Sequence, residues 1–219
     1  MGGEDTCPRG LPDMTPAERD EGAKTGKTMV TVLSVVPALI GLDAIYSFGS
    51  TAKYDAKLAI VTEAEMYWVY LGAFVISRMV GFVNTYPMIF KSRVMRGKSG
   101  NLRANMYIFK LIGEQSSKPN AVVLDEDGDA GVYNRANRSM HHMVENSPAL
   151  GCVLVLSGFV FPFPACVLAC AFALGRVVHQ VGYTSGYGAH APGFMLSMLA
   201  MEGLCGQTLL VALKGLSVL

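Results

Sequence analysis

Residues 138–183, RSMHHMVENSPALGCVLVLSGFVFPFPACVLACAFALGRVVHQVGY, hold two apolar runs separated by Pro162-Phe163-Pro164. Two prolines one residue apart cannot lie inside one continuous helix, because each lacks an amide donor and its ring crowds the preceding turn. The stretch therefore reads as two helices joined by a tight turn, Arg138 to Phe161 and Ala165 to about Tyr183. Each arm holds about twenty mostly apolar residues, the length needed to cross a hydrocarbon layer about 30 Å thick.

Both arms carry polar residues at helical spacing. Arg138, His141, His142 and Glu145 fall at i, i+3, i+4 and i+7, on one face of a helix. Arg176, His179, Gln180 and Tyr183 repeat that spacing on the second arm. The first set opens its helix and the second closes its own, so an antiparallel hairpin brings both to the same end. Singly, each reads as an interfacial anchor or an interhelical hydrogen bond. Together they are costly in a membrane unless they bind one another or something polar.

The remaining chain fits the same class. Of 219 residues, 51% are hydrophobic, and the formal net charge is +1. The charges crowd into residues 1–28 and 91–138, and no Lys/Arg stripe with interleaved aromatics points to nucleic acid. Met66 to Phe90 is a further span, with Tyr67, Trp68 and Tyr70 as interfacial anchors. Phe194 to about Leu213 is the last, with Glu202 as its one acid. Met29 to Phe48 is an additional hydrophobic segment containing Pro37 and Asp43, which spans the membrane or lies along it.

Residues 1–28 lack apolar periodicity and read as a disordered tail, and residues 91–132 as a long polar loop. The acidic run Asp125-Glu126-Asp127-Gly128-Asp129 reads as solvated, because it lacks the spaced ligands and closing Glu of a calcium loop. Cys166 and Cys170 lie one turn apart, but two thiols without a third ligand make no zinc site. Positive residues place the 91–132 loop, and with it the polar end of the hairpin, on the cytoplasmic side.

The chemistry suits a ligand with carboxylates and an ammonium group. Arginine forks grip carboxylates in pairs, Glu145 matches an ammonium, and Tyr183 donates a hydrogen bond to an anion. If that anion is a thiolate, such donors and nearby cations favour its ionisation.

The segment Tyr133-Asn134-Arg135-Ala136-Asn137-Arg138, with Glu145 seven positions after Arg138 and Pro148 three beyond Glu145, resembles a known signature. It is the second-helix motif of the membrane-associated proteins in eicosanoid and glutathione metabolism. The stretch Gly175 to Tyr183 is similar to that family's third-helix motif, and the likeness covers roughly residues 66–213. The resemblance implies an all-α, integral membrane four-helix bundle over about 66–213, with residues 29–49 as one extra N-terminal hydrophobic helix. It also implies a homotrimer in the endoplasmic reticulum or another internal membrane, binding glutathione near the cytoplasmic face. By motif position Arg138, His142, Glu145, His179 and Tyr183 would contact glutathione, with Arg93 a looser match, and Tyr183 with Arg176 would act on the thiol.

His142 stands where the family usually has Asn. No arginine follows Arg176, whereas the eicosanoid-synthesising branches place one shortly after the third-helix Tyr; this argues against a leukotriene or prostaglandin synthase. The reading that follows is a glutathione-dependent transferase or peroxidase acting on lipophilic electrophiles or lipid hydroperoxides. The alternative is a non-catalytic lipid- or glutathione-binding scaffold resembling the five-lipoxygenase-activating protein. A transporter is disfavoured, since the short chain lacks the inverted repeats common among them.

Overall fold

The computed structural model describes residues 13–95, 106–113 and 121–219, and for parts of 29–46 only the backbone. Helix α1 (Pro16–Phe48) begins at a capping box. Thr15 Oγ1 accepts from the Glu18 amide at 3.3 Å, and the Glu18 carboxylate accepts from the Thr15 amide at 2.8 Å. Pro16 at the first helical position gives up an amide that has no partner there anyway. The disordered-tail expectation is thus corrected for residues 16–28, and residues 1–12 lie outside the described residues. Met29 to Phe48 forms the second half of this helix, unbroken at Pro37.

The sequence hid the first half of this helix because its packing face is small rather than apolar. A Cβ at Gly22 would lie 2.9 Å from the Ser92 carbonyl oxygen, and one at Gly26 would lie 3.1 Å from the Ile89 Cα. As the number rises on α1 it falls on the partner segment, so the two helices run antiparallel with backbones nearly touching. Gly22 and Gly26 make the small-xxx-small stripe that permits such an approach. Arg19 adds an ion pair to Asp129 at 3.2 Å.

Helix α2 (Thr51–Glu63), in a stretch for which no element was expected, buries none of its residues. Helix α3 (Tyr67–Thr85) continues almost directly into α4 (Pro87–Val94). Strands β1 (Phe109–Ile112) and β2 (Ala121–Leu124) pair antiparallel, Phe109 opposite Leu124. Helices α5 (Gly128–Val160), α6 (Pro162–Ser185) and α7 (Ala191–Gly215) complete the chain. The expected wholly loop-like segment 91–132 therefore carries the end of α4, a hairpin and the first turn of α5. The hairpin's four-residue strands are too short to show a period.

Among the described residues four helices are long and apolar enough to cross a membrane: Tyr67–Val94 as one unit, then α5, α6 and α7. The protein is an all-α integral membrane bundle with additional helices before it. Only Phe161 separates α5 from α6, and both Pro162 and Pro164 fall in the first turn of α6, where missing amides break no bond. Trp68 meets Phe163 edge-on at 4.9 Å, placing the start of α3 at this turn.

Val83, Met143, Leu150, Ala165, Phe172 and Leu204 belong to the central core. There α6 and α7 touch through glycine: a Cβ at Gly175 would lie 2.6 Å from the Ser197 amide nitrogen, and one at Gly193 2.2 Å from the His179 amide nitrogen.

Replacing Gly22 with Val forces α1 away from α4 and is expected to cost about 1–3 kcal/mol. A thermal melt in detergent should show a lower midpoint for Gly22→Val than for the exposed control Lys24→Ala; equal midpoints would refute the close packing.

Candidate functional site

At 100° per residue, Arg138, His141, His142 and Glu145 cover an arc of about 100°, and the edges of that arc meet different neighbours. Arg138 and Glu145, near its middle, are exposed on the outside of the bundle. His141 turns to the hairpin side, where its Nδ1 shares a 2.7 Å hydrogen bond with the Tyr107 hydroxyl. His142 turns to α6, where it accepts at Nδ1 from Arg176 Nη1 at 3.0 Å. A guanidinium only donates, so this bond leaves His142 Nδ1 without a proton.

Arg176 is 1% exposed. Its Nη2 donates to the Ser139 carbonyl at 3.0 Å, while Nε has no hydrogen-bond partner among the described residues. One turn on, His179 Nδ1 shares a 2.9 Å bond with Ser139 Oγ, and Gln180 Nε2 donates to the Ala136 carbonyl at 2.9 Å. Around these bonds the rings form a stack. His179 lies 5.6 Å from both His142 and Tyr183, with interplanar angles of 25° and 19°. His190 packs edge-on against Tyr183 at 5.0 Å and His179 at 5.5 Å. Gly193 lets the first turn of α7 close over His179.

The hairpin is clamped to α5 by buried Asn134, whose side chain makes three bonds. It accepts from the Ile108 amide at 2.9 Å and donates to the Ile108 and Asp125 carbonyls, each at 2.7 Å. Lys110 pairs with Asp127, and these partners hold its ammonium pKa above the usual lysine value. Asp125, expected to be solvated, is 1% exposed; it accepts from the Asp127 amide at 3.1 Å and lies 3.6 Å from Lys110 Nζ.

The clamp delivers Tyr107 to the polar end. Burial lifts its hydroxyl above the ordinary tyrosine value; Arg138 draws it back, and Tyr183 and Glu145 push it further up. Tyr107 therefore stays protonated at neutral pH beside Arg138, Glu145 and Tyr183. On the other flank, Arg135 Nε donates to the Thr184 carbonyl at 3.2 Å and its guanidinium lies 6.0 Å from the Tyr187 ring centre. The Tyr187 hydroxyl donates to Glu126 at 2.8 Å, which holds its pKa above the usual value.

A protein-family model described as the MAPEG family matches residues 69–210. The chain belongs to the MAPEG family. That family covers glutathione transferases, peroxidases and non-catalytic activating proteins, and its members generally bind glutathione. No curated protein and no solved structure matches the chain significantly. Helices α1 and α2 lie outside the matched residues, as additions to the MAPEG bundle.

Of the residues expected at the site, His142, Arg176, His179 and Tyr183 form one connected cluster. Arg138 and Glu145 are at the same end but point outward. Arg93 stands apart at the end of α4, its guanidinium 5.7 Å from the Phe90 ring centre. Sequence spacing missed Tyr107, Ser139, Arg135 and His190. Ser139 was within reach, three positions before His142 on the edge that meets α6, whereas Tyr107 depends on a hairpin with no periodic signal.

Asn134→Leu leaves the Ile108 amide and two carbonyls without their partner, at a cost of about 1–3 kcal/mol. Hydrogen exchange over residues 107–112 should accelerate in this variant while the amides of α6 keep their protection; unchanged exchange would show that Asn134 is not the clamp.

Proposed function

We propose that this MAPEG member binds glutathione at the polar end of its bundle and uses the thiol in transferase or peroxidase reactions on lipophilic electrophiles or lipid hydroperoxides. The observation that carries the reading is the meeting of the α5 and α6 polar faces at one end, where His142, Arg176, His179 and Tyr183 form one connected cluster with Arg138 and Glu145 exposed at the same end. Their chemistry fits the ligand. Glutathione has two carboxylates, one ammonium group and a thiol, and it supplies the nucleophilic sulfur. Arg138 grips a carboxylate through its fork, and Glu145 pairs with the ammonium.

Tyr183 donates a hydrogen bond to the sulfur, favouring the thiolate of a group whose reference pKa is about 8.5. The stack on His179 and His142 fixes the Tyr183 ring, and Arg176, two turns deeper, adds a fixed positive charge. In the absence of the late arginine, His190, packed edge-on against Tyr183, takes part in proton exchange there. Arg138 and Glu145 point away from their own bundle, which supports completion of the cradle by a neighbouring copy in a homotrimer. Arg93 acts across that boundary. The site faces the cytoplasm from the endoplasmic reticulum or another internal membrane.

The test is purified protein in detergent, assayed for conjugation and hydroperoxide reduction with glutathione, beside a titration read by thiolate absorbance. Arg138→Ala is expected to weaken glutathione binding about 10-fold or more, the loss of a charge-assisted bond. Tyr183→Phe should retain binding, lose the thiolate signal, and lower kcat about 100-fold, the scale of one anion-stabilising donor. Equal background rates in wild type and both variants would overturn the enzyme reading, and saturable binding without turnover would replace it with the scaffold.

A further inference from the structure

We propose that the cavity between α5, α6 and α7 is a binding seat for the hydroxyl or hydroperoxyl group of an oxygenated membrane lipid. The cavity holds about 160 Å³, with His142, Asn146, Arg176 and Glu202 on its polar wall and Phe172 and Met198 among its apolar lining. It adjoins the polar end of the bundle through two shared residues, His142 and Arg176.

Two features on this wall lack an account in the packing. Arg176 is buried, yet Nε has no hydrogen-bond partner among the described residues. Glu202 sits midway along a 25-residue apolar helix, exposed on the surface of the chain and with no ion pair among the described residues. An acid at that depth is costly and marks a functional group by default.

Together they specify the ligand's chemistry. A permanently charged donor and a carboxyl acceptor line one cavity within the apolar span, so the complement that brings no further charge into the hydrocarbon is a neutral group that both donates and accepts. A hydroxyl or hydroperoxyl group does so, accepting from Arg176 and donating to Glu202. A lone carboxylate in the same place would meet Glu202, a lone ammonium would meet Arg176, and a zwitterion would carry two more charges into the apolar span. The volume equals roughly five waters at about 30 Å³ each, well below the roughly 300–1,000 Å³ of a pocket enclosing a drug-sized ligand. The seat therefore takes the oxygenated segment of a chain whose remainder lies along exposed Met198 and Leu199 in the lipid. That such a lipid is the substrate rests on the glutathione reading above; its binding does not.

The test uses the full chain in phosphatidylcholine nanodiscs, without any thiol, and radiolabelled methyl esters of hydroxy- and hydroperoxy-octadecadienoate. Both esters should bind saturably, the hydroperoxide arm distinguishing the two sources of the shared chemistry by its ratio to the alcohol. Methyl linoleate, which lacks the oxygen, and free linoleate should bind about 10-fold more weakly or worse. Glu202→Leu should weaken the hydroxy ester about 10-fold or more, Glu202→Gln should retain it, and Met198→Trp should fill the seat and abolish binding. Methyl linoleate binding as tightly as its hydroxy ester would overturn the proposal, as would Glu202→Leu leaving affinity unchanged while altering oligomer size, which would assign the acid to a subunit contact. Ester binding with no turnover in the glutathione assays refutes the enzyme reading alone; turnover with no ester binding refutes this one alone.

Discussion

Arg176 carries a permanent charge into the interior of the bundle, and neighbouring elements are arranged around holding it. Leaving such a group unpaired in a low-dielectric interior costs several kcal/mol, so α5 must present acceptors at one depth. It does so with the Ser139 carbonyl and His142 Nδ1, at 3.0 Å each. The same register places Gln180 against Ala136 and His179 against Ser139, so the antiparallel offset of the two helices is set by polar bonds as well as by the turn at Phe161. Apolar packing alone tolerates sliding far better than a network of directional bonds does.

The network also explains why α7 crosses where it does. Its first turn lies against the backbone of α6 at His179, an approach that side chains on Gly175 or Gly193 would prevent. That closeness presses His190 and Phe194 onto the His179 ring, 5.5 and 6.2 Å away. Small residues and a buried cation thus act together. The glycines bring helices near enough for aromatic rings to enclose the polar bonds, and the bonds hold the helices in the register that keeps the glycines opposed.

Much of this was legible in the chain. The pair Pro162 and Pro164 located the turn, and i, i+3, i+4, i+7 spacing put His142 and Tyr183 at the same end. What spacing could not convey is what covers each edge of a face. Arg138 and His142 read as equals, yet one points outward and the other inward, because His142 and Ser139 share the edge that α6 covers. The first half of α1 escaped notice because Gly22, Ala23 and Gly26 pack by being small, which leaves no hydropathy signal. Tyr107 escaped because its position depends on a hairpin whose clamp, Asn134, lies 26 residues from its partner Ile108. Glu202 was visible as an acid in an apolar run, but the cavity that it lines together with Arg176 arises only when α6 and α7 are assembled.

The length of α5 has a consequence for the medium that each polar residue meets. Its 33 residues extend about 50 Å, against a hydrocarbon layer of about 30 Å. With the Phe161 turn at one boundary, the other falls near Met140 on α5 and near Gly182 on α6. Arg138 and Tyr107 then stand in water, Arg176 and Glu202 in oil, and His142 and His179 straddle the division. In the reaction proposed, the polar thiol and the lipid would each arrive through the medium that dissolves it, and neither would have to be transferred into the other before they meet. A site so placed is a fixed point on a phase boundary, where the local concentration of any lipid-soluble ligand is set by partitioning into the bilayer.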